Sequence, residues 1–236
     1  MLAEWSHRSA GICNYDSVEY IIMNEHNIEK NYFELLAALV LKEFFPEDYS
    51  LLKHYDKPDL RNKELVGVEV CRALDPYEAE KNSFWNKNLK MRAVDEVQEE
   101  LTKFCDNEYD VIKWDVDGVP SIVGMSPPAK WITNNCLIST IKKKIKKIQK
   151  GKYASVESLD LYVFSDSFEE RGLQEIQSLL SDTNSILRDA GIRYLFLDEY
   201  GWLYRCSIMD GEILFINTKS KYNALQVEAM AQACCF

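Results

Sequence analysis

Pro58-Asp59 is followed ten positions later by Glu69-Val70-Cys71, and two carboxylates at that spacing act together only if the chain doubles back between them. The intervening sequence, KPDLRNKELVGVEVCR over 57–72, provides for this. Leu65, Val66, Val68 and Val70 favour strand, and Arg-Asn-Lys supplies a turn, so a strand pair is expected. Within a strand Glu69 and Cys71 share one face, whereas Val68 and Val70 point to the other. An ionised Glu among Val66, Val68 and Val70 is unfavourable in a sheet core without a partner. A divalent metal shared with Asp59 would be such a partner, because hard cations choose carboxylate oxygens.

This arrangement resembles the PD-(D/E)XK nuclease superfamily, the restriction-endonuclease-like fold. In that family a helix bearing a Glu precedes a strand hairpin. An Asp on one strand and an acid on the next bind Mg²⁺, and a Lys follows two residues after the second acid. The resemblance makes Asp59 the first acid, Glu69 the second, and Glu34 in NYFELLAAL the helical Glu. It implies Mg²⁺ or Mn²⁺ held by Glu34, Asp59 and Glu69, and hydrolysis of phosphodiester bonds in DNA or RNA. The Lys position is occupied by Cys71, a departure, because a thiol cannot orient the attacking water or offset phosphate charge as an ammonium does. Some members recruit the base from the helix after the motif, which makes Lys87 and Lys90 of FWNKNLK the replacement candidates. Arg72 faces the other way in a regular strand. The resemblance spans roughly residues 28–165, and the order of later elements also resembles bacterial proteins placed in this superfamily.

A second feature is IKKKIKKIQKGK at 141–152, with seven lysines. On a helix Ile138, Ile141, Ile145 and Ile148 form one stripe and the lysines cover the rest. Such a face is either a solvated coat over a buried stripe or a track for a phosphate backbone, through Lys142, Lys143, Lys146, Lys147 and Lys150. Lysines meet phosphates as point charges and read no sequence.

These residues must be carried by a scaffold. Residues 28–45 are dense in helix formers and end at Pro46; a long polar helix is expected from Asp75-Pro76 to about 104. Residues 106–130 read as loop, punctuated by Asp117-Gly118 and Pro127-Pro128. Residues 137–149 are helical, 159–164 (LDLYVF) form a strand, and 168–189 a further helix. Three strands follow at 192–197, 201–206 and 212–217. Alternating helices and strands predict an α/β fold with a mixed central sheet flanked by helices. We expect an N-terminal extension over 1–27, one nuclease-like domain over 28–217 and a C-terminal tail over 218–236.

Other patterns are weaker. Asp115-Val116-Asp117-Gly118 opens like a calcium loop, but position 126 is Ser where a closing Glu is needed, so a plain turn is expected. His7, His26 and His54 show no i, i+4 pairing. Cys71 reads as a small buried hydrophobe. The seven cysteines include no C-x-x-C pair, which argues against a zinc site or a disulfide framework and for a reducing cytoplasm. No signal peptide or membrane-length apolar run is apparent, so no membrane partner is expected.

With 28 basic against 38 acidic residues the net charge is −10, a poor balance for a general nucleic-acid coat. The lysine segment concentrates positive charge on one face and leaves the remainder strongly acidic. The alternative function is therefore a nuclease-fold binding protein with a defective site, an inhibitor, immunity protein or complex subunit, using its acidic surface and explaining Cys71. A homodimer through the C-terminal strands is a third reading.

Overall fold

The computed structural model describes residues 15–63, 65–74, 84, 85, 87–90, 92–104, 110–116, 118–126, 133–151, 155–165 and 170–235. His7, the expected helix start at Asp75-Pro76, Asp117, Pro127-Pro128 and Lys152 lie outside these residues.

The order is α1 (Tyr15–Phe44), α2 (Pro46–Tyr49), β1 (Lys53–His54), β2 (Leu60–Asn62), β3 (Val66–Ala73), a 3-10 turn (Asp95–Val97), α3 (Gln98–Phe104), β4 (Asp110–Val116), β5 (Val119–Ser126), α4 (Asn134–Lys150), β6 (Ser158–Ser165), α5 (Leu173–Asp189), β7 (Ile192–Asp198), β8 (Trp202–Ser207), β9 (Ile213–Asn217) and α6 (Lys219–Ala233). Seven strands form one mixed sheet in the order β1-β2-β3-β6-β7-β8-β9. The central strands β3, β6 and β7 are parallel, and the outer pairs are antiparallel. The fold is α/β, with helices against the sheet.

The strand period of two divides the core. Val66, Val68, Val70, Tyr162, Phe164 and Phe196 meet Leu36, Val40 and Leu41 of α1 and Tyr222 and Ala229 of α6 on one face. Leu161, Val163, Leu195 and Leu197 meet Ile141 and Ile145 of α4 and Ile176 and Leu187 of α5 on the other. Strand β6 is buried on both faces, as its unbroken apolar run requires in a central parallel strand. A buried polar tie joins the second layer: Arg171 Nε donates to Glu199 Oε1 at 2.5 Å and its Nη1 to Asn134 Oδ1 at 3.0 Å, while the Tyr204 hydroxyl donates to the Arg171 carbonyl at 2.7 Å.

Three expectations are revised. The long polar helix is not continuous: its described part is a short helical segment near Phe84 and Asn88, an isolated bridge at Ala93, the 3-10 turn and α3. Polar helix formers set propensity, but Trp85, Leu89, Val97, Leu101 and Ile122 pack into a small core of their own that bends the chain. The expected loop at 106–130 contains the β4–β5 hairpin, turned at Gly118 with φ +83°. Gly118 N–H donates to Asp115 Oδ1 at 2.7 Å, a plain turn with its own acceptor. The last residues form α6, which lies against α1.

Under α1 and α6 lies Asp198, fully buried. The hydroxyls of Tyr162 and Tyr222 donate to its Oδ2 at 2.6 and 2.9 Å. Burial lifts its carboxyl to about 7; these hydrogen bonds and one from Gly201 oppose the shift, and Glu199 adds to it. The folded state therefore binds a proton that the unfolded chain releases near the ordinary value of about 4. Stability is present in full at acid pH and declines as pH rises from about 4 to about 7. Asp198→Asn, which keeps an acceptor for the tyrosines, is expected to gain on the wild type by up to about 1.4 kcal/mol per pH unit across that window in urea unfolding. Parallel pH profiles of the two proteins would contradict this.

Candidate functional site

The hairpin β2–β3 creates the site. Leu60 pairs with Val68 and both enter the α1 core, so alternation turns Glu69 to the opposite face, towards α4. Asp59 precedes β2, and its Oδ2 accepts the Val70 N–H at 2.8 Å, one step beyond the last pair of the ladder. Gly67 makes the approach feasible: a Cβ there would lie 2.5 Å from Cγ of Pro58, so only glycine leaves room for the ring that precedes Asp59. Both carboxylates are buried, Asp59 at 7% exposure and Glu69 at 1%.

One cation answers both acids. Lys144, on α4, places Nζ 3.1 Å from Asp59 Oδ2, in contact with Glu69 Oε2, and 2.9 Å from the Val70 carbonyl. Burial acts to lower the pKa of this ammonium, but Asp59 and Glu69 outweigh it and raise the pKa above the ordinary lysine value. Lys144 is therefore a fixed positive charge at neutral pH. Beside it, burial pushes the Cys71 thiol up to about 12, so it stays protonated and packs against the α4 layer.

No family model, curated protein or solved structure matches this chain.

The remaining sequence-derived residues divide clearly. Glu34 is buried on α1, on the other side of the sheet from Glu69, and pairs with His54 and, at 3.5 Å, with Lys30. It does not join Asp59 and Glu69, and among the described residues no three His, Cys, Asp or Glu side chains converge as a metal cluster. The reason is alternation: α1 packs on the valine face of β3, and the acids point away from it. Lys87 and Lys90 are exposed, on the segment that packs with the separate small core. The ammonium that contacts the acids is that of Lys144 instead. Arg72 turns towards α1, bonded to Glu29 at 2.6 Å and lying over the Phe33 ring. Lys142, Lys143, Lys146, Lys147 and Lys150 are exposed on α4, and Lys147 is close enough for its charge to act on Cys71.

Lys144 carried a signal in the sequence. It stands seven residues after Leu137, three after Ile141 and four before Ile148, all buried, which puts it beside the inward stripe; Lys142 has the same spacing only to the partly buried Ile138 and to Ile145. Removing its charge would leave two buried carboxylates facing each other. Lys144→Met, which preserves the aliphatic stem, is expected to lose ~3 kcal/mol of unfolding free energy in urea without divalent ions. Lys143→Met, one position away and exposed, is expected to change stability by less than about 0.5 kcal/mol. Equal small effects would show that the Lys144 cluster is not a buried ion network.

Proposed function

We infer that this protein is a divalent-metal-dependent phosphodiesterase acting on nucleic acid, a divergent relative of the PD-(D/E)XK nucleases in which Lys144 does the work of the missing motif lysine. The observation that carries this reading is the convergence of three oxygens, from Asp59, Glu69 and the Val70 carbonyl, on one cation. An all-oxygen set with two carboxylates suits Mg²⁺ or Mn²⁺, which keep several waters and take few protein ligands. Asp59, Glu69 and the Val70 carbonyl would hold the ion; Glu34 would not. The mixed sheet with an acidic hairpin ahead of its parallel centre also accords with a restriction-endonuclase-like scaffold.

When bound, such an ion lowers the pKa of a coordinated water and polarises the scissile phosphate. The chain's own groups supply the rest. Lys144 stays charged and is anchored by the buried isoleucines of its helix, so it can offset negative charge building on the phosphate and orient the attacking water. A raised pKa makes it an electrostatic group in preference to a proton acceptor. The exposed lysines on the same helix would run along a phosphate backbone without reading bases.

The same contact has a second reading. An ammonium that permanently satisfies both acids leaves a scaffold with no metal chemistry, a binding protein that acts through the acidic remainder of its surface. Cleavage of single- and double-stranded DNA and RNA in Mg²⁺ or Mn²⁺ distinguishes the two. The nuclease reading predicts metal-dependent cleavage that falls at least ~100-fold in Glu69→Ala and by ~100- to 1000-fold in Lys144→Ala, with both proteins folded by circular dichroism. Equal cleavage by wild type and Glu69→Ala, or none on any substrate, would favour the binding protein.

A further inference from the structure

The two ends of the main sheet differ. One ends in β1, only two residues long. The other ends in β9, Ile213-Leu214-Phe215-Ile216-Asn217, five residues without charge or proline, and no strand among the described residues covers its outer side. Leu214 and Phe215 are 42% and 38% exposed, and Met209 in the preceding turn is 68% exposed. Edge strands are ordinarily blunted by charge, proline or a bulge, and β9 carries none of these within its span.

The register of β8 and β9 fixes which backbone groups are left over. Ser207 N–H donates to the Glu212 carbonyl and Thr218 N–H to the Gly201 carbonyl, both at 2.8 Å. Together with the pairs Arg205↔Leu214 and Leu203↔Ile216, this directs the backbone of 212, 214, 216 and 218 towards β8. The N–H and C=O groups of Ile213, Phe215 and Asn217 therefore point outward. These three are symmetric about Phe215.

We propose that β9 pairs antiparallel with β9 of a second copy of this chain about a two-fold axis at Phe215, joining the two sheets into one. Phe215 faces the partner's Phe215, and Ile213 faces the partner's Asn217, giving about six backbone hydrogen bonds from three narrow pairs. The flanks agree in charge. Asp210 and Glu212 precede the strand and Lys219, whose ammonium lies over the Trp202 ring of β8, follows it, so an antiparallel partner brings each acidic end towards a basic one. On the side facing α4 and α5, Phe215 already lies 5.2 Å from Tyr204, and the symmetric ring extends that aromatic row.

Sedimentation equilibrium of the full chain from about 1 to about 100 μM tests the association. Wild type is expected to approach twice 27.4 kDa, and Phe215→Lys to weaken dimerisation at least about 10-fold with an unchanged circular dichroism spectrum. Register is tested by oxidative cross-linking with Cys13, Cys105, Cys234 and Cys235 replaced by Ser. Phe215→Cys should form a disulfide across the two-fold, where the Cα separation of a narrow pair is ~5.5 Å. Leu214→Cys, out of step by two positions and on the opposite face, should not. A wild-type monomer throughout the range, an undiminished Phe215→Lys dimer, or equal cross-linking at both positions would overturn the proposal.

Discussion

The interaction on which the site depends is the contact of Lys144 with two buried carboxylates. Taking three charges out of water is costly, and their attraction compensates only when the geometry is good and the remaining polar atoms are satisfied. Here part of the compensation comes from the backbone of β3: Asp59 also accepts the Val70 N–H, and Lys144 also donates to the Val70 carbonyl. The cluster thus joins the hairpin to α4 and fixes the distance of the lysine helix from the sheet. Scaffold and site are one object, because the ions that would support chemistry also hold α4 over β3.

Alternation on β3 explains the division of labour. Its valines enter the core beneath α1, and its glutamate and cysteine face α4. That single period separates an apolar layer, sealed by α1 and α6, from a polar seam next to a cationic helix. On the proposed nuclease reading, the thiol at Cys71 then has a physical sense. Its place on the strand is filled by a small thiol packed against the α4 layer, and the positive charge arrives from the helix opposite.

Much of this was legible from local pattern. The β-branched run of β3, the apolar run of β6 and the isoleucine stripe of α4 fixed their elements, and Glu69 stood out because a charge among valines needs a partner. Lys144 escapes the family pattern, which directs attention to residues near the second acid in sequence, whereas the lysine that contacts both acids lies 75 positions after Glu69. Its place beside the isoleucine stripe was the available clue. Helix α6 has little amphipathic signal, because its buried side joins Tyr222 and Leu225 to the small Ala229 and Ala233 while Val227 and Met230 face outward. The Arg171–Glu199 tie is long-range and had no sequence signal at all.

On the proposed function, Asp59, Glu69 and the Val70 carbonyl, which contact the Lys144 ammonium, would also take a divalent ion. Titration with Mn²⁺ followed by electron paramagnetic resonance measures this directly. Saturable binding of one ion per chain is expected in the wild type, with tighter binding in Lys144→Met, where the competing charge is gone, and loss of that ion in Glu69→Gln. Binding that is absent from both wild type and Lys144→Met, or unchanged in Glu69→Gln, would contradict it.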